Sequence, residues 1–189
     1  IQGELELRRN ACKPGDIILT TGIHGLSKLG FLIQNKINFD NEFSLNERLI
    51  IKSIEHFCRP RVYPNFLNNL LKTRSNKNIT RIGCTDSSDG LFQALQDLAI
   101  ASNCKAIINY EKIPKDKDWP KGDKWDEYYF FGGEDYELVF SLPKKWAKNL
   151  SKLDKDINEI GFFADGEPSI EFKDNKKNKL FNNTPFKHF

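Results

Sequence analysis

The sequence predicts a single α+β domain, and three observations support this class. The chain has 189 residues, which is long enough for one well-filled hydrophobic core. Hydrophobic residues make up 39% of it and include 15 Phe, a composition typical of globular proteins and not of disordered ones. Short apolar runs alternate with segments whose apolar residues recur at helical spacing.

Charge and apolar patterning exclude two classes of partner. Lys and Arg number 29 and Asp and Glu number 26, so the net charge of +3 is too small and too evenly mixed to predict nucleic-acid binding. No apolar run approaches the roughly 18–20 residues of a membrane helix. The four cysteines form neither a C-x-x-C motif nor a cluster with histidine, so we expect free thiols, no structural zinc and a cytoplasmic location.

The first half is predicted to contain one strand and three helices. A Pro14-Gly15 turn precedes the first apolar run, and Ser44 with Glu47 forms a capping box for the second helix, which stops before Pro60. The expected elements are a strand at residues 17–19, a helix at 25–36, a helix from Ser44 to about residue 57 and a short helix at 66–71.

The second half is predicted to alternate strands and helices more regularly. Leucine and alanine at helical spacing after Gly90 indicate a helix, and residues 135–142 alternate as a strand with Tyr136, Leu138 and Phe140 on one face. The expected elements are strands at 79–85, 105–110, 135–142, 157–163 and 169–172, with helices from 90 to about 101, at 125–131 and at 143–153.

The motif Asp86-Ser87-Ser88-Asp89-Gly90-Leu91 lies at a predicted strand-to-helix junction. On a first helical turn, carboxylates three residues apart would face one side and could bind Mg²⁺, which prefers one or two carboxylates plus phosphate oxygens. Helix N–H groups and the Ser88 hydroxyl could contact a phosphate. The structural alternative is that the aspartates and serines only cap the helix and offset its dipole.

A second motif, Phe131-Gly132-Gly133-Glu134-Asp135-Tyr136-Glu137-Leu138, places three acids at the start of a strand. Acids are poor strand formers, so the pattern suggests a functional role for them. The two glycines would allow a tight turn or a close approach to a ligand. The structural alternative is a solvated strand end that follows a glycine C-cap.

A third motif, Thr20-Thr21-Gly22-Ile23-His24-Gly25-Leu26-Ser27, suggests either an anion-binding loop or a plain tight turn. It is neither a P-loop nor a dinucleotide-binding loop. His24, His56 and His188 show no metal-ligand spacing and are expected to be structural or surface residues.

Taken together and in order, these motifs resemble those of the thiamine-monophosphate kinase family. The string from Gly132 to Leu138 is the most specific part of the resemblance, and it follows the Asp-x-Ser-Asp-Gly-Leu motif that begins at Asp86. Upstream, Pro14-Gly15-Asp16, Thr21-Gly22-x-x-Gly25-x-Ser27 and Pro60-Arg61-Val62 are also similar to that family, as is the ending from Phe186 to Phe189.

The resemblance implies a fold, an activity and site residues. The fold would be the layered α/β/α C-terminal domain of the aminoimidazole-ribonucleotide-synthetase superfamily, a mixed sheet flanked by helices. The activity would be Mg²⁺-dependent transfer of phosphate from ATP to thiamine monophosphate. By resemblance, Asp86 and Asp89 would bind metal, Ser88 would contact the nucleotide, and Glu134 and Phe186 would contact the substrate. No residue is expected to act as a covalent nucleophile.

The resemblance also implies a larger protein. Residues 1–189 would form a single C-terminal domain, and the N-terminal metal- and nucleotide-binding domain, which forms most of a homodimer interface, would be absent from this chain. The chain alone is therefore expected to be inactive. Two alternatives stay open: another ATP-using superfamily member, such as a selenophosphate synthetase-like enzyme, or a non-catalytic phosphate-binding or dimerisation module.

Overall fold

The computed structural model describes residues 4–36 and 45–174, which form a seven-stranded mixed sheet covered by helices. The strands are β1 (Glu6–Arg8), β2 (Ile17–Thr21), β3 (Arg81–Asp86), β4 (Lys105–Ile108), β5 (Leu138–Leu142), β6 (Ile157–Ala164) and β7 (Ser169–Phe172). The helices are α1 (Leu26–Gln34), α2 (Glu47–Cys58), α3 (Phe66–Thr73), α4 (Leu91–Ser102), α5 (Asp123–Phe131) and α6 (Lys144–Leu153). Short 3₁₀ turns span Arg9–Ala11 and Tyr110–Lys112.

The strand order is β1-β3-β5-β2-β6-β4-β7, with parallel pairs at the two outer edges and antiparallel pairs between them. One face of the sheet packs against α1, α4 and α5, and the other packs against α3 and α6. Helix α2 lies against α1. The layered α/β/α fold that the sequence resemblance implied is therefore confirmed.

The central strands are buried on both faces. In β2, Ile18 packs with the α1 and α4 side of the core, whereas Leu19 packs with the α6 side. In β5, Val139 and Phe140 divide in the same way. The expected strand start at residue 135 is wrong, because β5 begins at Leu138, after Tyr136. Leu138 and Phe140 share one face, as expected, and both pack with the α6 side of the core.

Two expectations about individual elements need correction. Helix α2 is capped by Asn46, whose side chain accepts a hydrogen bond from the Arg48 N–H at 2.9 Å, while Ser44 lies outside the described residues. The first strand, β1, was not expected, because it is a three-residue edge strand with an exposed, charged sequence. In the described ranges no helix combines the length and the hydropathy that crossing a membrane requires.

A substitution at Phe140 tests the packing of the core beneath the site. Its ring is fully buried and packs edge-on against Phe66, with ring centroids 5.0 Å apart. We expect Phe140→Ala to lower the free energy of unfolding by about 3–5 kcal/mol, because the cavity adds to the lost transfer energy. Urea denaturation measures this. Leu153→Ala, at a position 53% exposed, is the control and should cost less than about 0.5 kcal/mol; equal losses would contradict this account of the core.

Candidate functional site

The three sequence motifs meet at one edge of the sheet. Strand pairing sets Thr20 opposite Val139 and Asp86 opposite Leu138, so the ends of β2 and β3 lie beside the start of β5. We refer below to the glycine loop (residues 20–27), the aspartate turn (residues 86–90) and the acidic segment (residues 133–137). The fold thus brings together segments that lie more than 100 residues apart in the chain.

The buried carboxylate of Asp135 holds the glycine loop. Its Oδ2 accepts a hydrogen bond from the Gly25 N–H at 2.6 Å, and its Oδ1 accepts one from the Ser27 N–H at 2.9 Å. Helix α1 begins at Leu26 and has no side-chain cap of its own from Gly25. Asp135, in the segment that precedes strand β5, therefore caps α1. The N–H groups of the glycine loop are therefore occupied by a carboxyl group of the same chain.

Two opposing effects act on Asp135. Burial raises its pKa to about 7, while the two N–H donors and the nearby His56 act to lower it. The imidazole Nδ1 of His56 lies 3.7 Å from Asp135 Oδ1 and 3.0 Å from Ser27 Oγ. The carboxyl group is thus surrounded by polar partners although it is fully buried.

Glu137 is the second buried acid of the acidic segment. Thr21 Oγ1 donates a 2.5 Å hydrogen bond to Glu137 Oε2 and accepts one from the Leu138 N–H at 2.8 Å. His56 Nε2 lies 3.5 Å from Glu137 Oε1. These partners hold the pKa of Glu137 below its usual value in spite of its burial. The hypothesis of a solvated strand end is therefore wrong for Asp135 and Glu137.

Gly22 is required where the Glu137 carboxylate meets the glycine loop. A Cβ at this position would lie 2.0 Å from Glu137 Oε1, which is far inside contact distance. The backbone of Gly22 also has a φ of +52°, in the left-handed region that glycine adopts readily. The glycine of this motif therefore makes room for an internal carboxylate.

Two of the three histidines belong to this region. His24 is fully buried, with Nε2 2.6 Å from Thr20 Oγ1, so the expectation of a structural histidine is confirmed for it. His56, from α2, contacts both buried acids, and sequence reasoning did not predict this. Nothing in the local pattern of α2 distinguishes His56 from a helix-surface residue. His188 lies outside the described residues.

The aspartate turn precedes its helix instead of forming the first helical turn. Asp86 Oδ1 accepts hydrogen bonds from the Ser88 N–H at 3.1 Å and from the Ser88 hydroxyl at 2.7 Å. Gly90 is the N-cap of α4, and the first turn of this fully described helix contains no acid. The capping alternative for Asp86 and Asp89 is therefore wrong, and so is their expected placement on a first helical turn.

Backbone hydrogen bonds join the aspartate turn to the acidic segment. The Ser87 N–H donates to the Glu137 carbonyl at 2.9 Å, and the Glu137 N–H donates to Ser87 Oγ at 3.1 Å. The Glu134 N–H donates to the Ser88 carbonyl at 2.7 Å. Asp86, Asp89 and Glu134 are exposed, so three unburied carboxylates project from one joined pair of turns.

Glu134 borders a small recess of about 90 Å³ that is lined also by Lys28, Phe31 and Gly133. The Lys28 ammonium lies 5.7 Å from the centre of the Phe31 ring. Burial lowers the pKa of Lys28, while the charge of Glu134 acts to raise it. Glu134 and the Phe31 ring therefore share this recess with a cationic side chain of the same chain.

The exposed aspartates offer hard oxygen ligands to a divalent cation. Among the described residues, Asp86 Oδ2 and both carboxylate oxygens of Asp89 have no hydrogen-bond partner. Within residues 4–36 and 45–174, however, no three acidic, histidine or cysteine side chains cluster as a metal site. Two carboxylates suit Mg²⁺ when phosphate oxygens complete the shell. Phe186, the other expected substrate contact, lies outside the described residues.

Comparisons with known proteins identify the family of this chain. The model of the family described as AIR synthase related protein, C-terminal domain, matches residues 13–170. The thiamine-monophosphate kinase of Prochlorococcus marinus is 34% identical over 188 residues, covering 100% of this chain and 56% of that protein. The chain thus spans about half the length of this curated relative.

Solved structures match the fold of this chain. The crystal structure of thiamine-monophosphate kinase from Stenotrophomonas maltophilia K279a matches with a TM-score of 0.69 at 23% identity, over 88% of this chain and 52% of that one. The structure of AaThiL complexed with AMPPCP and TMP matches with a TM-score of 0.69 at 25% identity, over 96% of this chain and 53% of that one.

The buried histidine of the glycine loop predicts a pH dependence. Burial lowers the pKa of His24 from 6.5 to about 4. Because the unfolded chain then binds more protons than the folded one between these values, stability should rise with pH up to about 6.5 and then level off. Relative to His24→Leu, the wild type should lose about 2 kcal/mol on going from pH 7 to pH 4.5.

Urea titrations of both proteins at several pH values measure this difference. Asp135, whose pKa is raised, acts in the opposite direction, because its contribution to stability falls as pH rises toward 7. That contribution is common to wild type and His24→Leu and cancels in the comparison. A difference that does not change with pH would contradict a buried, neutral His24.

Proposed function

Since the chain belongs to the AIR synthase related family and matches its C-terminal domain, we propose that it is the C-terminal part of a thiamine-monophosphate kinase. The reaction is transfer of the γ-phosphoryl group of ATP to thiamine monophosphate, which gives thiamine diphosphate and ADP. The observation that carries the proposal is the joined pair of turns, on which Asp86, Asp89 and Glu134 are exposed together. The similarity to curated kinases over the whole chain supports it.

Phosphoryl transfer between two polyanions needs positioning and charge neutralisation more than a protein nucleophile. An oxygen of the acceptor phosphate attacks the γ-phosphorus, and the bond from that phosphorus to the β,γ-bridging oxygen breaks. When bound there, Mg²⁺ would supply positive charge that offsets the negative charge of the phosphates. Asp86 and Asp89 are the residues that would hold Mg²⁺, and the role is supported by Asp86 Oδ2 and the Asp89 oxygens, which lack hydrogen-bond partners among the described residues.

Two further roles complete the proposed site. The Ser88 hydroxyl, which donates to Asp86 Oδ1, would exchange this bond for one to a nucleotide phosphate oxygen. Glu134 would face the cationic thiazolium ring of the substrate, and Phe186 would stack against that ring. The AMPPCP and TMP bound by the relative AaThiL support a nucleotide and thiamine monophosphate as ligands.

The proposal extends to the rest of the protein. Residues 1–189 would be one C-terminal domain, and an N-terminal domain would supply further acids for metal and nucleotide and most of a homodimer interface. The chain spans 56% of the length of its curated relative, which leaves room for such a domain. The four free cysteines support a cytoplasmic location.

The need for a second domain can be tested by comparing the chain alone with a longer protein. We expect the 189-residue chain alone to form no thiamine diphosphate from thiamine monophosphate and Mg·ATP, and the protein of the relatives' full length to form it. A coupled assay for ADP and direct detection of thiamine diphosphate measure this. No product from either protein would favour a non-catalytic module or another ATP-using enzyme, and product from the chain alone would refute the need for a second domain.

Substitution of the two aspartates tests their proposed role as metal ligands. In the full-length protein, Asp86→Asn and Asp89→Asn should each lower kcat by roughly 100-fold or more, because the charge that holds the metal is lost. Their unfolding free energy should change by less than about 0.5 kcal/mol, since neither exposed side chain caps α4. Asp165→Asn, at an exposed position of the β6–β7 turn, is the control and should keep full activity. A large loss of stability would favour a structural role.

A further inference from the structure

The glycine loop contains a motif that the proposed reaction leaves without a role. It was expected to bind an anion or to form a plain turn, yet its polar groups point at the acidic segment. Thr21 contacts Glu137, and the Gly25 and Ser27 N–H groups contact Asp135. Together these contacts fix the two buried residues that alternate with exposed Glu134 and Tyr136.

The acidic segment has a backbone that needs such fixing. Glu134 has a φ of +66° and Tyr136 has a φ of +53°, and neither is glycine. A left-handed conformation costs a residue with a Cβ roughly 1–2 kcal/mol, and it persists only where the surroundings enforce it. Two such residues separated by one buried acid indicate a segment that would relax if its anchors were removed.

We propose that Thr21 is a positioning residue that sets the placement of Glu134 for the acceptor substrate, an inference that rests on the proposed function. Thr21 is fully buried, and its hydroxyl joins the Glu137 carboxylate to the Leu138 N–H. It thereby fixes the point where the acidic segment enters β5. Thr21 acts through Glu137 and does not touch the substrate.

The neighbouring threonine shows why this role belongs to Thr21. Thr20 is equally buried in the same strand, but its hydroxyl donates to the Thr21 carbonyl at 3.1 Å and lies 2.6 Å from His24 Nε2. Its contacts stay within the glycine loop. Thr20→Val therefore removes a buried hydroxyl from the loop without touching the acidic segment, and it is the matched control for Thr21→Val.

The kinetic test uses the full-length kinase. Thr21→Val should raise KM for thiamine monophosphate about tenfold, with KM for ATP and kcat changed less than about threefold, because binding of the acceptor alone depends on Glu134. Thr21→Ser retains the hydroxyl and should restore a KM close to wild type. Thr20→Val should leave the acceptor KM unchanged. Equal effects of Thr20→Val and Thr21→Val, or no recovery in Thr21→Ser, would overturn the proposal.

A second measurement does not depend on activity. In NMR spectra of the 189-residue chain, Thr21→Val should shift the amide signals of residues 134–137 strongly, whereas Thr20→Val should shift mainly those of residues 20–27. If Thr21→Val does not fold, Glu137→Gln serves in its place, with the same expected pattern. Failure of the wild type to make thiamine diphosphate would refute the proposed function. If the wild type makes thiamine diphosphate, but Thr21→Val changes neither the acceptor KM nor the amide signals of residues 134–137, this inference alone is refuted.

Discussion

The geometry of the site depends on two hydrogen bonds, which the Gly25 and Ser27 N–H groups donate to the buried carboxyl group of Asp135. An unpaired charge in the interior is costly, and so is a helix N-terminus whose N–H groups lack acceptors. Here each satisfies the other, because the Gly25 and Ser27 N–H groups donate to the same carboxylate. This contact ties α1 to the segment before β5, and the position of the exposed Glu134 follows from it.

The alternation of the acidic segment follows from the same constraint. Asp135 and Glu137 must point inward to reach their partners, so Glu134 and Tyr136 point outward. The left-handed backbone at 134 and 136 is the conformational cost of turning this short stretch between helix α5 and strand β5. Gly22 and Gly133 lack the side chains that would prevent this packing, since a Cβ on Gly133 would lie 2.3 Å from the Ser88 carbonyl.

The local sequence pattern predicted most of the helices and strands, but it did not predict what the residues of the motifs contact. Strand β7 was predicted with the observed bounds, and α1 and α6 to within about two residues, because apolar spacing is set by burial along each element. The roles of Asp135 and Thr21 could not be predicted in this way. Their partners lie 108–117 residues away in the chain, and no local period reflects a contact at that distance.

The same limit explains why each local alternative for the acids failed. Capping and solvation are the usual reasons for acids near helix and strand ends, and both are judged from neighbours in sequence. In the fold, the acids divide into two groups. Asp135 and Glu137 are buried and accept hydrogen bonds from the glycine loop, whereas Asp86 and Asp89 cap no helix and keep carboxylate oxygens without partners in the described part of the chain. Exposed acids on a turn that hydrogen bonds fix to the acidic segment are available to a ligand. This division is the strongest physical argument that the aspartate turn serves chemistry.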